Sequence, residues 1–196
     1  MVELRPYSPG DLDALYAICL QTGAAGQDAS PLHNDPHLVG HIYAAPYGVL
    51  EPENVFVAED DRGVAGYVVG TFDTNRFSER LEAEWWPKLR ERYAGATGMT
   101  AADQGRIETI MQPHQNPADL VAEYPAHIHM NLLPRLRGQR IGTRLLDMWV
   151  AHARAHGVTG IHLGASASNA GGIAFWTHGG FTRLRDDGAV WFGMKL

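Results

Sequence analysis

The stretch Leu132-Leu133-Pro134-Arg135-Leu136-Arg137-Gly138-Gln139-Arg140-Ile141-Gly142-Thr143-Arg144-Leu145-Leu146 decides how this chain is read. A strand-like apolar run gives way to a basic loop containing glycine, and helical spacing of apolar residues follows. Such a junction leaves backbone N–H groups unpaired at the helix N-terminus, where aligned peptide dipoles concentrate partial positive charge. Phosphates bind at such ends. Arg135, Arg137, Arg140 and Arg144 crowd this junction although the chain as a whole carries a net charge of −6. A row of arginines alone is a solvated helix face; beside a glycine loop it predicts an anionic ligand.

Outward from this junction the chain alternates strands and helices. Val2 to Arg5 reads as an edge strand, and Ser8-Pro9-Gly10-Asp11 opens a helix with Leu12, Leu15, Tyr16, Cys19 and Leu20 at helical spacing. A loop covers Thr22 to Pro36 and a short helix His37 to Tyr43. Asn54 to Glu59 and Val64 to Thr71 read as a hairpin turning at Asp60-Asp61-Arg62-Gly63. Asn75 to Glu123 is helical in pattern, with helices near Arg76 to Tyr93 and Thr100 to Met111 and then an Asn/Pro-rich loop. A strand at Ala126 to Leu132, a helix at Arg140 to His156, a buried strand at Gly160 to Leu163 and a helix at Ala170 to His178 come next. Two strands near Thr182 to Arg185 and Ala189 to Met194 close the chain. This order predicts an α/β class fold with a mixed sheet and helices on both faces.

At 196 residues the chain suits one domain, 1–196, with 75–123 as a helical insertion. Its acidic balance speaks against a nucleic-acid partner. No apolar run is long enough to span a membrane, and the N-terminal residues lack a secretory pattern. Cys19 is the single cysteine, so no intrachain disulfide forms, and it reads as a core residue. A cytoplasmic protein is expected, monomer or homodimer, with the final hairpin as an exposed edge.

Two segments together resemble the cofactor-binding segments of the GNAT acyltransferase superfamily. In the first, the family pattern is Gln or Arg, two variable residues, Gly, one variable residue, then Gly or Ala; Arg137 and Gly142 match its ends, while Arg140 stands at the central Gly. In the second, Asn169, Phe175, Gly180 and Phe181 match in register, Gly172 replaces Ala and Trp176 replaces Tyr. His41 to Tyr47, Gly66-Tyr67-Val68-Val69-Gly70 and Tyr124 to His129 further resemble the acetyltransferase-like domain at the C-terminal end of human O-GlcNAcase, a likeness shared by stand-alone bacterial acetyltransferases. The resemblance implies the GNAT acyl-CoA N-acyltransferase fold and acetyl-CoA as cofactor. It implies that N–H groups of Gly138, Arg140, Ile141, Gly142 and Thr143 cradle the pyrophosphate, within a binding stretch that includes Leu133, Arg137 and Gln139. It further implies that Leu132 and Pro134 flank the pantetheine arm, with Asn169, Gly172, Phe175 and Trp176 completing the cofactor side.

Transfer of acetyl from a thioester to an amine needs a neutral amine, a polarised carbonyl and a stabilised thiolate. His127, His129 and Asn131 alternate with Ile128, Met130 and Leu132, so one face of that strand is polar. His129, then His127, are the candidates for general base; the competing reading makes both hydrogen-bonded core histidines. The resemblance implies that a backbone N–H near Leu132, where family members splay two strands apart, polarises the carbonyl. Trp176 occupies the place of the family's tyrosine acid, and an indole N–H is far too weak to protonate a thiolate. Tyr124, His178, water or an unprotonated departure remain for that step. Asp28, Asp35, Tyr47, Trp85 and Tyr124 are expected near the amine acceptor, with Trp85 and Trp86 alternatively anchoring the insertion. His127 and His129 also have the spacing of metal ligands, but no Cys or HExxH pattern supports them, and no metal is expected. A rival reading is a catalytically inactive acyl-CoA-binding or protein-interaction module.

Overall fold

The computed structural model describes residues 1–196. Its strands are β1 (Glu3–Pro6), β2 (Phe56–Asp60), β3 (Gly63–Thr71), β4 (Ala126–Leu132), β5 (Gly160–Ala165), β6 (Thr182–Asp186) and β7 (Val190–Lys195). They form one sheet in the order β1-β2-β3-β4-β5-β7-β6. Only β4 and β5 run parallel; every other neighbouring pair is antiparallel. The helices are α1 (Leu12–Gln21), α2 (Leu38–Tyr43), α3 (Ala45–Leu50), α4 (Thr74–Arg80), α5 (Trp86–Tyr93), α6 (Ala101–Met111), α7 (Ala118–Glu123), α8 (Ile141–Ala155) and α9 (Ala170–His178). No helix is long and apolar enough to cross a membrane.

Strand alternation sorts the sheet into two faces. Gly66, Val68 and Gly70 of β3 pair with Leu132, Met130 and Ile128 of β4 on the face packed by α8. There the indole of Trp149 comes so close that a Cβ on Gly70 would sit 2.7 Å from its Cζ2. Glycine at 70 is what lets the long helix settle onto the sheet. Ile141, Leu145, Leu146, Trp149, Val150 and Ala153 form the buried stripe of α8, and Trp149 Nε1 donates to the carbonyl of Asn54 at 2.9 Å. The opposite face carries Tyr67, Val69 and Thr71 of β3 opposite Asn131, His129 and His127 of β4. It is covered by α1 and α3 and by the helical stretch α4 to α7.

That stretch has its own small core of Leu38, Trp86, Leu89, Tyr93 and Ile110. Asp103, fully buried, fastens it to the preceding loop by accepting from the His33 ring at 2.8 Å, Asn34 N at 2.9 Å and the N–H of Thr100 at 3.1 Å. The helix expected over Arg76 to Tyr93 is divided. Pro87 lies in the first turn of α5, where it lacks an N–H and crowds the preceding turn, and Leu81–Trp85 widens into a π-helix. Two helices fall where the sequence predicts none, α3 and α7. Each is six residues long, too short to display helical periodicity. Cys19 is buried in the main core and burial pushes its thiol up to about 11.

Candidate active site

The parallel pair that joins the halves of the sheet is short. β4 and β5 pair only at Ala126 with Ile161 and His127 with His162, although β5 continues alongside β7 to Ala165. Leu133 N–H donates to Ala65 O at 2.8 Å. By the alternation of an antiparallel ladder, His127, His129 and Asn131 therefore bond to β3, while Met130 and Leu132 turn N–H and C=O toward the opening gap. A V-shaped slot results, faced by the N–H of Leu132, while the Leu132 carbonyl accepts from Arg137.

One side of the slot leads to the start of α8. No side chain caps this helix, so its first N–H groups lack the usual partner. Gly138 has φ +73° and Arg140 φ +59°, both left-handed. Arg140 thus keeps the turn that glycine would make, with an exposed side chain free of ion pairs. Gly142 lies against the second segment: a Cβ there would be 3.1 Å from Phe175 Cε2 and 3.5 Å from Leu132 Cδ1. Asn169 is the N-cap of α9, accepting from Gly172 N at 2.9 Å. A Cβ on Gly172 would press on that same amide, which accounts for the small residue. Arg137 donates to Leu132 O at 3.1 Å and to Gly26 O at 2.8 Å, tying the loop after α1 to the slot. These features suit a diphosphate on the α8 amides and an extended chain in the slot.

The other side opens into a cleft of 560 Å³ between the polar sheet face and the helical stretch. Three histidines meet there. His127 is engaged on both nitrogens. Thr74 Oγ donates to Pro125 O at 2.7 Å and so accepts from Nδ1 at 2.8 Å, leaving Nε2 to accept from the Tyr47 hydroxyl at 2.7 Å. Burial first, then the neighbouring charges of His129 and His162, hold its pKa well below the ordinary histidine value. The His129 ring makes no hydrogen bond within the protein; it lies edge-on to Tyr43 and Tyr47, and burial lowers it to about 4. His162 is anchored by Nδ1 on Tyr124 O at 2.6 Å and lowered chiefly by burial. Tyr47 is likewise buried, which raises its phenol.

The sequence-expected residues are only partly brought together. Tyr47, His127 and His129 line the cleft; Asp28, Asp35, Trp85 and Tyr124 do not. Asp28 caps Ser30, Asp35 accepts from the Tyr93 hydroxyl, and Trp85 Nε1 donates to His41 O, so these groups brace the α1-to-α5 region. Tyr124 touches the site through its carbonyl, its ring lying under Lys195 Nζ at 4.3 Å. Trp176 is a core residue between Phe175 and Phe181, outside the cleft. His178 is exposed with Nδ1 on Ala174 O, leaving no acid beside the slot in the expected places. His162 and Trp191 escaped the sequence reading. A polar residue between Ile161 and Leu163 in a buried strand was the available signal. No three His, Cys, Asp or Glu side chains converge as metal ligands.

Residues 27–181 match the acetyltransferase (GNAT) family model, and the chain belongs to that family of acetyl-CoA-dependent N-acetyltransferases. Among solved structures it is similar to SsHAT, 33% identical with a TM-score of 0.84 over 99% of this chain and 98% of that one. The PaiA N-acetyltransferase of Thermoplasma acidophilum, solved in complex with coenzyme A, shares the fold at 13% identity and a TM-score of 0.61, covering 100% and 99% of the two chains. Protein O-GlcNAcase of Rattus norvegicus is 24% identical over 160 residues, which are 80% of this chain and 17% of that protein. The chain thus spans about a sixth of the length of that relative.

Proposed function

We propose that this protein moves an acetyl group from acetyl-CoA to an amine acceptor by direct transfer, with donor and acceptor bound together on opposite sides of the sheet opening. The reading is carried by one observation: β4–β5 pairing ends at His127 and His162, so the slot above the uncapped start of α8 and the histidine-lined cleft share one opening. Acetyl-CoA supplies the activated acetyl group as a thioester. The amides of Gly138, Arg140, Ile141, Gly142 and Thr143 hold its diphosphate, and Leu132 and Pro134 flank the arm. The Leu132 N–H, turned into the gap, is the donor for the acyl oxygen. His129, neutral near pH 7 and without an internal hydrogen bond, accepts the amine proton directly or through water. His127, committed on both nitrogens, orients Tyr47 and the cleft wall rather than acting as base. A thiol pKa of roughly 8.5 permits departure as thiolate without a protein acid.

The test is isothermal titration with acetyl-CoA together with thiol release across a panel of amines. Stoichiometric binding with acceptor-dependent release above hydrolysis is the expected result; absence of binding overturns the reading. The buried position of Trp176 favours a second reading, an acyl-CoA-binding module without transfer, which binding without release by any amine would select.

A further inference from the structure

Two polar atoms on the cleft face have no partner. The carbonyl of Tyr124 can only accept, so His162 Nδ1 carries the hydrogen and Nε2 keeps a lone pair. That Nε2 is buried and unpaired, and so is Nε1 of Trp191, which can only donate. His162, 1% exposed, and Trp191 occupy the same sheet face on adjacent strands, with rings 6.3 Å apart, and both line the cleft. Three of their charged or polar cleft neighbours are committed elsewhere, whereas the His129 ring is free and is the base assigned above. His127 bonds Tyr47 and Thr74, Glu82 holds Arg90 through both oxygens, and Asp187 pairs with Arg185. No Lys or Arg lines the cleft, so it is not built for an anionic acceptor. Buried polar atoms are normally paired, and one lone pair beside one donor asks for a ligand presenting the complement.

We propose that His162 and Trp191 together recognise an acceptor whose reacting amine has an oxygen, hydroxyl or carbonyl, on the neighbouring carbon. The amine N–H donates to His162 Nε2 and the oxygen accepts from Trp191 Nε1. His162 is the last β5 residue paired with β4, which puts this residue beside the point where the strands part. With ring centroids 6.3 Å apart, the pair is matched by a donor and an acceptor held close together in the ligand, as on adjacent carbons, and not by the two ends of a long polyamine. This assignment rests on the acetyl-transfer reading above and narrows its substrate class to vicinal amino-oxygen compounds.

The experiment compares 2-aminopropan-1-ol with butan-2-amine, which replaces the hydroxyl by a methyl group at nearly constant shape. Wild-type kcat/KM should favour the amino alcohol by about tenfold, because the analogue leaves the indole donor unpaired. In Trp191→Phe the ratio should fall to about one. In parallel, the indole Nε1–H resonance of Trp191 in the 15N-labelled wild type should move on adding the amino alcohol and stay in place with butan-2-amine. That readout needs neither turnover nor the variant. A wild-type ratio near one, or identical spectra with both amines as expected if a bridging water alone fills the pair, overturns the assignment while leaving acetyl transfer intact. No release with any amine, but a selective indole shift, refutes transfer and keeps the recognition site; no release and no shift refutes both.

Discussion

Arg140 offers the sharpest check on the cofactor loop. Its φ of +59° and ψ of +12° are left-handed, a conformation that costs a side-chain-bearing residue roughly 1–2 kcal/mol. Its side chain is exposed and joins no ion pair, so nothing else in the free protein depends on its identity. Exchanging it for alanine keeps the backbone cost, whereas glycine relieves it at about 0.5–1 kcal/mol of added chain entropy. Arg140→Gly should therefore be more stable than Arg140→Ala by about 1 kcal/mol, raising the melting temperature by about 2–4 °C in a chain of this size. In a right-handed helical turn the order reverses, with glycine about 1 kcal/mol the worse. Calorimetry of the two variants thus reads the sign of φ. An alanine variant more stable than the glycine one would refute the loop geometry. Titration with acetyl-CoA reports separately on the guanidinium: both variants should bind about tenfold more weakly through loss of a charge-assisted contact to phosphate.

Gly142→Asp should abolish measurable acetyl-CoA binding by titration, since its side chain meets Phe175 and sets a carboxylate at the diphosphate site; undiminished affinity would place the phosphates elsewhere. His41 and His129 are both lowered to about 4 by burial, so the folded state stays neutral where the unfolded chain, near 6.5, takes up protons. Their stabilisation is complete above pH 6.5 and is lost as pH falls toward 4, by up to about 1.4 kcal/mol per pH unit for each ring. Urea melts across that window check it, a flat profile counting against buried neutral rings. Tyr47→Phe strips His127 Nε2 of its donor inside the core and should destabilise by about 1–3 kcal/mol in the same melts.

The strands and long helices were legible because their apolar residues recur with the period of the element that buries them. β4 and α9 appear with the bounds read from sequence, and the amphipathic stripe of α8 announces itself. The π-helix was not legible, since Pro87 perturbs hydrogen bonding without altering the apolar pattern. At the site, the Gly/Arg turn ahead of α8 could be read because a strand giving way to a glycine-containing loop and then an amphipathic helix has a local sequence form. The cleft lining could be read only in part: Tyr47 reaches it, while Asp28, Asp35, Trp85 and Tyr124 do not. Which aspartate or tyrosine reaches the cleft depends on contacts between distant segments, as when Asp35 turns to Tyr93 and Tyr124 turns under Lys195. Even the polar face of β4 said only that histidines would share a side. It could not say that Thr74 and Tyr47 would occupy both nitrogens of one and leave the next free.

Asp103 and the indole of Trp85 rivet the helical stretch to the body of the protein well away from the cleft floor. The segment 113–116, by contrast, forms part of the cleft wall and makes no hydrogen bond to the rest of the chain. The scaffold and this rim of the cleft are held by separate sets of contacts. Substitutions in the four-residue rim should therefore reshape the mouth of the cleft while the contacts that hold the helical stretch behind it stay in place.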